Sequence, residues 1–278
     1  MKLLILSVCN TFSYKLYSEY VAGISEFLKI NKNKENDIIF YNTDIENNYE
    51  IDKYDIIIYF GDIPYFKKNI VDKFEKIYYV NIEPLTYGLN VKNLHNLDKN
   101  THILDYSEEN CLLHNNFNHF SKINLLFPYF KNIDIDKKDK TIDVTAISNN
   151  KYRDSIINEI KKSIECKTLL NCFNNVRDEI FKKSKIYINI HGMPSKTIME
   201  SIRINNLIMN KVIIISQPTI NNELLYFKDY IIICNDNNEI ISKVKEILKN
   251  YDYFYDKIYG NFCYNKYVKY IEKNIEYI

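Results

Sequence analysis

The chain alternates short, almost wholly apolar runs with longer segments in which apolar residues recur every three to four positions. The apolar runs suit strands buried on both faces of a parallel sheet, and the longer spacing predicts helices packed on that sheet. The predicted strands are residues 3–8, 38–41, 55–60, 77–81, 102–104 and 123–127 in the first half, and 142–147, 166–170, 186–190, 212–215 and 230–234 in the second. Such alternation is typical of α/β proteins with parallel sheets.

A polar segment, KNIDIDKKDK at residues 131–140, interrupts the alternation and predicts a linker between two domains. We therefore expect one Rossmann-like domain over residues 1–130 and a second over residues 141–250, the two facing a cleft. Residues 251–278 are rich in aromatic side chains, which need a surface to cover. They predict helices, interrupted at Gly260, that pack back toward the N-terminal domain.

Composition and charge restrict the class of protein. The 278 residues carry 37 Lys and Arg against 36 Asp and Glu, and the net charge of +1 gives no field argument for a nucleic-acid partner. The six cysteines form no Cys-x-x-Cys pair, and we expect free thiols in a reducing compartment. The apolar opening at residues 1–9 is too short to span a bilayer. A cytoplasmic protein without a transmembrane segment is therefore expected.

Two further patterns bear on cofactors and metals. The loop after the first strand, residues 10–13, contains no glycine, so the Gly-x-Gly-x-x-Gly fingerprint of dinucleotide binding is absent there. Asp134 and Asp136 in the polar segment could bind a divalent metal. A solvated linker is the interpretation we favour for the pair, because no buried strand presents these side chains.

Residues 184–217 carry the candidate chemistry. They predict a strand, a short loop, a helix beginning near Lys196 and a second strand. Ligands of open α/β sheets bind at the carboxyl ends of the strands, which is where this loop lies. His191 could instead be a strand-end histidine bonded to a neighbouring carbonyl. Glu200 and Arg203, three residues apart, could be an ordinary solvated helix pair.

Several segments match the motifs of one family in the same order. They are YVNIEPL at residues 79–85, LDYSEEN at 104–110, LFPY at 126–129, DV at 143–144, SNNKYR at 148–153 and SKIYINIH at 184–191, followed by Glu200, Arg203, Ile204 and Ile215-Ser216. Together they resemble the GT-B-fold glycosyltransferases, specifically the short family-1-like proteins of bacteria and large DNA viruses. The resemblance covers residues 1 to about 235.

The resemblance implies a nucleotide-sugar donor bound mostly by the second domain, and a reaction that needs no metal and no further cofactor. It implies that Glu200 holds the donor ribose, since a carboxylate can accept two hydroxyl hydrogen bonds. The implied donor-binding residues are Ser148, Asn149, Lys151, Arg153, Ser195, Lys196, Thr197, Glu200 and Arg203. The catalytic candidates are Glu83, as a base for the acceptor hydroxyl, and His191, which should face the same cleft. A structural loop carboxylate is the other interpretation of Glu83.

Two departures from the family pattern leave a second hypothesis open. Many GT-B enzymes carry another glutamate where this chain has Gly192, and a Ser-Glu pair where it has Ser216-Gln217. A catalytically inactive GT-B module that binds a nucleotide sugar or a glycan is therefore the alternative, and an unrelated two-domain α/β binding protein is a third. Lys151 and Arg153 could equally be solvated helix-end residues. The expected partners are the donor and an unknown glycan, lipid or protein acceptor, with no nucleic acid.

Overall fold

The computed structural model describes residues 2–8, 21–26, 28, 36–41, 53–60, 74–81, 101–107, 110, 122–125, 135–172, 174–192, 199–219 and 227–267. The contacts within the chain divide it into two compact units, one of residues 1–129 with 268–278 and the other of residues 130–267. Within the described ranges, no helix combines the length and apolar character that crossing a bilayer requires.

The first unit contains a six-stranded parallel sheet. Its strands are Leu3–Val8 (β1), Asn36–Tyr41 (β2), Ile56–Phe60 (β3), Lys76–Asn81 (β4), His102–Asp105 (β5) and Lys122–Leu125 (β6), in the order β2-β1-β3-β4-β5-β6. All five residues of β3 are buried, as a central strand covered on both faces requires. Residues 21–26 are helical, and Val21, Ile24 and Leu28 have no exposed surface, which matches one helix face.

The second unit contains a five-stranded parallel sheet with its helices. Its elements are Ile142–Ile147 (β7), Lys151–Lys161 (α1), Lys167–Leu169 (β8), Asn174–Lys183 (α2), Ser184–Asn189 (β9), Ser201–Met209 (α3), Ile213–Ser216 (β10), Ile231–Ile233 (β11), Asn237–Lys249 (α4) and Tyr251–Tyr259 (α5). The strand order is β11-β10-β9-β7-β8. The chain therefore passes from β7 outward to β8 and then across to β9, β10 and β11, which makes β8 and β11 the edge strands.

The α/β architecture with parallel sheets, predicted from the alternation, is confirmed in both units. Each predicted strand is present, with bounds within two residues of the prediction wherever the described ranges allow a comparison. A serine followed by acidic residues favours a helix start, and Ser107, which precedes Glu108 and Glu109, is such a cap, because its Oγ accepts the backbone N–H of Asn110 at 3.2 Å. The apolar residues Phe66, Ile70, Val71 and Phe74 after Pro64 predict a helix, most of which falls on residues outside the described ranges.

The second half of the predicted solvated linker at residues 131–140 is solvent-exposed at Asp136, Lys138 and Asp139, as predicted, but it is folded. Asp136 caps a short 3₁₀ turn at Lys137–Asp139, and its backbone N–H is bonded in return by the Asp139 carboxylate at 3.1 Å. Ile135 and Lys140 on either side are 4% exposed. The reciprocal cap folds the turn locally, and the buried side chains fix it to the second unit. Asp134 lies outside the described ranges.

Of residues 251–278, which we expected to pack toward the first domain, residues 251–267 belong to the second unit, whereas residues 268–278 are grouped with the first. The Tyr259 hydroxyl donates to the Val212 carbonyl at 2.6 Å, and the Tyr267 hydroxyl donates to the Asn205 side chain. Buried tyrosines need such acceptors, and the second unit supplies them. Helix α5 ends before Gly260, as predicted. Residues 268–278 lie outside the described ranges.

Candidate functional site

The carboxyl ends of β7, β9 and β10 meet at one edge of the second sheet. Residues 148–150 follow β7, residues 190–192 follow β9 and residues 217–219 follow β10. Because the three strands are parallel neighbours, these short segments lie side by side. The first segment contains Ser148 and Asn149, which the sequence assigned to donor binding, and the second contains His191, which it assigned to catalysis. The helix α3, which follows β9, also begins at this edge.

Helix α1 begins at this edge with an asparagine cap. The Asn150 Oδ1 accepts the backbone N–H of Arg153 at 2.9 Å, and its Nδ2 donates to the Gly192 carbonyl at 3.1 Å. One side chain therefore fixes both the helix start and the loop after β9. Among the described residues, no group accepts the backbone N–H of Lys151 or Tyr152, so these two amides are available to an anion.

Arg153 projects from α1 into the protein and is only 5% exposed. Its Nε donates to the Ile190 carbonyl at 2.9 Å, and its Nη2 donates to the Glu200 Oε1 at 2.7 Å. The interpretation of Arg153 as a solvated helix-end residue is therefore wrong. The guanidinium connects the end of β9 to the carboxylate 47 residues further along the chain, and a long-range ion pair of this kind leaves no local sequence signal.

Arg203 binds the other oxygen of the same carboxylate, since its Nη1 pairs with the Glu200 Oε2. The Arg203 Nη1 also donates to the Asn189 Oδ1 at 3.3 Å, and the Asn189 Nδ2 donates to the Ser216 Oγ at 3.0 Å. Burial alone would lower the pKa of Arg203, but the Glu200 carboxylate and Tyr187 hold that pKa above its usual value. The guanidinium is therefore fully charged, and the pair is not the ordinary solvated helix pair that the sequence left open.

Glu200 occupies a different backbone position from the one predicted. The sequence placed it in the first turn of a helix beginning near Lys196, whereas the described helix begins at Ser201 and Glu200 is its N-cap residue. Its side chain makes no capping bond, because both oxygens are engaged by arginines. Its side chain remains 25% exposed, although Oε2 is buried. A carboxylate oxygen has two acceptor sites, so Oε1 keeps one for a ligand hydroxyl.

His191 follows β9 and is 6% exposed. Its Nε2 lies 2.9 Å from the Pro218 carbonyl, and its backbone N–H donates to the Gln217 Oε1 at 3.0 Å. A carbonyl only accepts, so the Nε2 carries the hydrogen and the Nδ1 carries the lone pair. Burial lowers the pKa of His191, which favours this neutral form. The bond to a neighbouring carbonyl is the structural interpretation left open above.

Of the remaining predicted donor residues, three lie within the described ranges and three lie outside them. The Ser148 hydroxyl donates to the Asp154 carboxylate, so it offers a ligand lone pairs and no hydrogen. Asn149 and Lys151 are exposed at the same edge. The predicted donor residues Ser195, Lys196 and Thr197 and the predicted catalytic residue Glu83 lie outside the described ranges.

The matching edge of the first sheet carries a buried polar cluster. The Asp105 carboxylate accepts from the Asn81 Nδ2 at 2.7 Å, the Ser107 backbone N–H at 3.0 Å and the Asn110 Nδ2 at 3.0 Å. All four residues are at most 4% exposed. Two of the family-like segments noted above, YVNIEPL and LDYSEEN, therefore meet here, and their shared polar residues stabilise the loop after β5.

Sequence reasoning missed Asn150 and Asn189, which place the predicted residues. Asn150 carried a usable signal, since asparagine directly before a helix is a favoured cap. Asn189 carried none, because its role depends on partners from α3 and β10. No group of three His, Cys, Asp or Glu side chains suited to a metal ion occurs among the described residues.

Comparison with known proteins gives one sequence relative of unassigned activity. No model of a known protein family matches the chain. The "Uncharacterized protein R358" of Acanthamoeba polyphaga mimivirus is 29% identical over 220 residues, which cover 73% of each chain. This similarity connects the chain to a viral protein without assigning a function to either.

Solved structures give the fold. T4 phage BGT in complex with its substrate UDP-glucose matches with a TM-score of 0.62 and 14% identity, covering 100% of this chain and 97% of that chain. An alpha-glucosyltransferase in complex with UDP and a DNA 13-mer matches with 0.63 and 11%, covering 98% and 99%. S. aureus TarM in complex with UDP matches with 0.54 and 11%, covering 80% and 55%. The chain thus has the GT-B fold of these glycosyltransferases.

Proposed function

We propose that the protein is a glycosyltransferase that transfers a sugar from a nucleotide-sugar donor to an acceptor hydroxyl, and that it is of the family-1-like type. The observation that carries the proposal is the Glu200 carboxylate, held at the carboxyl edge of the second sheet by Arg153 and Arg203. The guanidinium groups of Arg153 and Arg203 fix its position. The Glu200 side chain is 25% exposed and its Oε2 is buried, which leaves Oε1 as the oxygen that a ribose would reach. Preorganised groups of this kind contribute most to binding, because they cost little reorganisation.

The donor diphosphate would lie at the start of α1. The backbone N–H groups of Lys151 and Tyr152 and the positive end of the dipole of helix α1 favour a phosphate there. The exposed Lys151 side chain adds a charge at the same helix end. The same groups would stabilise the negative charge that develops on the departing nucleotide diphosphate. Arg153, in contrast, acts on the ribose indirectly, by orienting Glu200.

We also propose a uridine diphosphate sugar as the donor and a reaction without a metal ion. Support for uridine comes from neighbours of the same fold in complex with UDP-glucose or UDP. One of them, T4 phage BGT, has also been crystallised with UDP and Mn²⁺, so transfer should be measured both with EDTA and with added Mn²⁺. Equal rates in the two conditions are expected, and a reaction abolished by EDTA would contradict metal independence.

The acceptor class requires a panel of its own. Glycan, lipid and protein acceptors follow from the sequence analysis, whereas nucleic acid was excluded there on net charge alone. One structural neighbour is described as a DNA modifying enzyme, and another binds DNA with an HMU base. DNA bearing hydroxymethylated bases therefore belongs in the panel beside the other three classes.

A melting-temperature screen against UDP-, GDP-, CMP- and dTDP-sugars tests donor binding, since a ligand that binds only the folded protein raises its melting temperature. Release of the nucleotide diphosphate with each acceptor then tests transfer. We expect a UDP-sugar to give the largest increase in melting temperature. No increase with any donor would contradict the proposal and favour the unrelated binding protein.

One observation favours an inactive module as the second candidate. Gln217 stands where the family has a glutamate, and its Oε1 is bonded to the His191 backbone N–H. Gly192, where many family members have another glutamate, is also part of this edge. Donor binding without nucleotide release, with every acceptor in the panel, would favour this candidate over the enzyme.

A further inference from the structure

A cavity lies in the second unit, away from the candidate donor site. It has a volume of about 620 Å³, in the range of pockets that hold small ligands. It is lined by residues from the turn before β11, from β11 itself and from helices α4 and α5. Because the donor site lies at the carboxyl ends of the strands, a cavity at the start of β11 faces the opposite edge of the sheet.

Three lysines line this cavity: Lys228 from the turn, Lys243 from α4 and Lys257 from α5. Lys243 is paired with Glu246 at 2.6 Å. No carboxylate of the described residues lies within ion-pair distance of Lys228 or Lys257, and both side chains are exposed. The lining therefore carries more positive than negative charge, with Asp229 as its acidic member, although the whole chain is almost neutral.

Three aromatic rings share the cavity with the lysines: Tyr230, Phe254 and Phe262. Tyr230 and Phe262 hold each other edge to face at 5.9 Å, and Tyr230 also stacks on Tyr259 at 6.0 Å. These contacts keep the two rings in place without a ligand. Phe254 is half-buried on α5 and meets Tyr253 edge to face at 5.3 Å. The cavity therefore offers ring surface next to positive charge.

We propose that this cavity binds a short unpaired segment of a nucleic acid. Grooves that combine aromatic rings with lysines bind single strands, because bases stack on the rings while the cations contact phosphates. The three lysines stand on three different elements, which suits several phosphates and not one. An acidic polypeptide would use the charges without needing the rings. This proposal does not depend on the proposed transferase activity, because it uses none of the donor-site residues.

The test is the binding of fluorescein-labelled hexathymidylate, measured by anisotropy over a range of salt concentrations. Lys228→Gln with Lys257→Gln removes the two lysine charges that have no carboxylate partner; the Lys257 Nζ lies 6.0 Å from the centre of the Tyr253 ring. The slope of log affinity against log salt should become less steep by about 1.4, or about 0.7 per phosphate contact. Phe254→Leu keeps an apolar side chain but removes the ring. It should weaken binding by about tenfold through lost stacking, with the salt slope unchanged.

The matched control is Lys245→Gln with Lys249→Gln, which removes two exposed charges from α4 outside the cavity lining. It should leave both affinity and slope near those of the wild type. Melting temperatures of all variants are measured, so that loss of binding is not confused with unfolding.

Four results would overturn the proposal. The first is that the hexamer does not bind, and the second is that the control variant loses as much affinity as the cavity variants. The third is that polyglutamate displaces the labelled hexamer and Phe254→Leu has no effect. The fourth is that UMP displaces the labelled hexamer at the same concentration as unlabelled hexathymidylate does. The third would indicate an acidic polypeptide site, and the fourth a site for a single nucleotide. Donor binding measured on the same variants should be unchanged, which separates this result from the proposed function.

Discussion

Replacement of Glu200 by alanine should destabilise the second unit as well as weaken donor binding. The side chains of Arg153 and Arg203 are 7% and 18% exposed, and the Glu200 carboxylate compensates both charges. Removing one member of a buried ion pair costs about 3–5 kcal/mol, because the remaining charge stays buried without its partner. Here the Glu200 side chain is partly exposed and Arg203 keeps its bond to Asn189, so we expect about 2–3 kcal/mol.

Scanning calorimetry measures this effect. For a domain of this size a loss of 2–3 kcal/mol lowers the melting temperature by about 4–12 °C. Glu200→Gln keeps the shape and one acceptor oxygen, so its decrease should be smaller than that of Glu200→Ala. The control is Glu159→Ala, an exposed carboxylate on α1 whose bond to Asn237 is also exposed. Its effect should stay within the roughly 0.5 kcal/mol of ordinary surface substitutions.

A melting temperature of Glu200→Ala equal to that of Glu159→Ala would refute this reasoning. It would mean that the two guanidinium groups do not depend on the carboxylate, either because water reaches them or because other groups compensate them. The proposed role of Arg153 in orienting Glu200 would then have no energetic basis. Donor affinity alone could not reveal this, since a loosened site and a missing ribose contact both weaken binding.

Three further predictions concern buried polar groups. Burial lowers the pKa of His191 below 6.5, so the folded protein should lose stability as the pH falls through 6.5, because the unfolded chain takes up a proton there and the folded chain does not. In urea unfolding, His191→Gln should reduce this loss, and an unchanged pH dependence would contradict the buried neutral ring. Burial lowers the pKa of Lys140 to about 7, so the free energy of unfolding should rise from about pH 7 to 10.5, because the unfolded chain binds one more proton than the folded chain in that range. The same rise in Lys140→Met would show that Lys140 is not its cause. Tyr259→Phe removes the bond to the Val212 carbonyl and should cost about 1–3 kcal/mol in the same assay, because the carbonyl is left buried without its donor; a cost near zero would show that water replaces the hydroxyl.

The strands could be predicted from the sequence because a strand that is buried on both faces has apolar residues at consecutive positions. All of β3 is buried, for instance, and its five residues are apolar. Helix starts with a local cap were also predictable, as Ser107 shows. These features depend on neighbours within a few residues, and the sequence records such neighbours directly.

The features that the sequence could not predict depend on distant partners. Local signals placed the helix after β9 near Lys196, but Glu200 instead stands outside the helix, where two arginines from other positions bind it. Lys140 is buried because its Nζ donates to the carbonyls of Phe181 and Asn210, at the ends of two helices. Lysine and arginine side chains are seldom buried, so no pattern along the chain indicates that Lys140 and Arg153 are.

In the proposed function, Glu200 holds the ribose of a nucleotide-sugar donor. Isothermal titration of the UDP-sugar that gives the largest increase in melting temperature, against the wild type and Glu200→Gln, tests it most directly. Loss of a charge-assisted bond costs about 1.5–3 kcal/mol, so we expect an affinity lower by about 10- to 100-fold in a variant that is still folded at the temperature of the titration. An affinity equal to that of the wild type would contradict the claim and leave the GT-B fold without its proposed donor site.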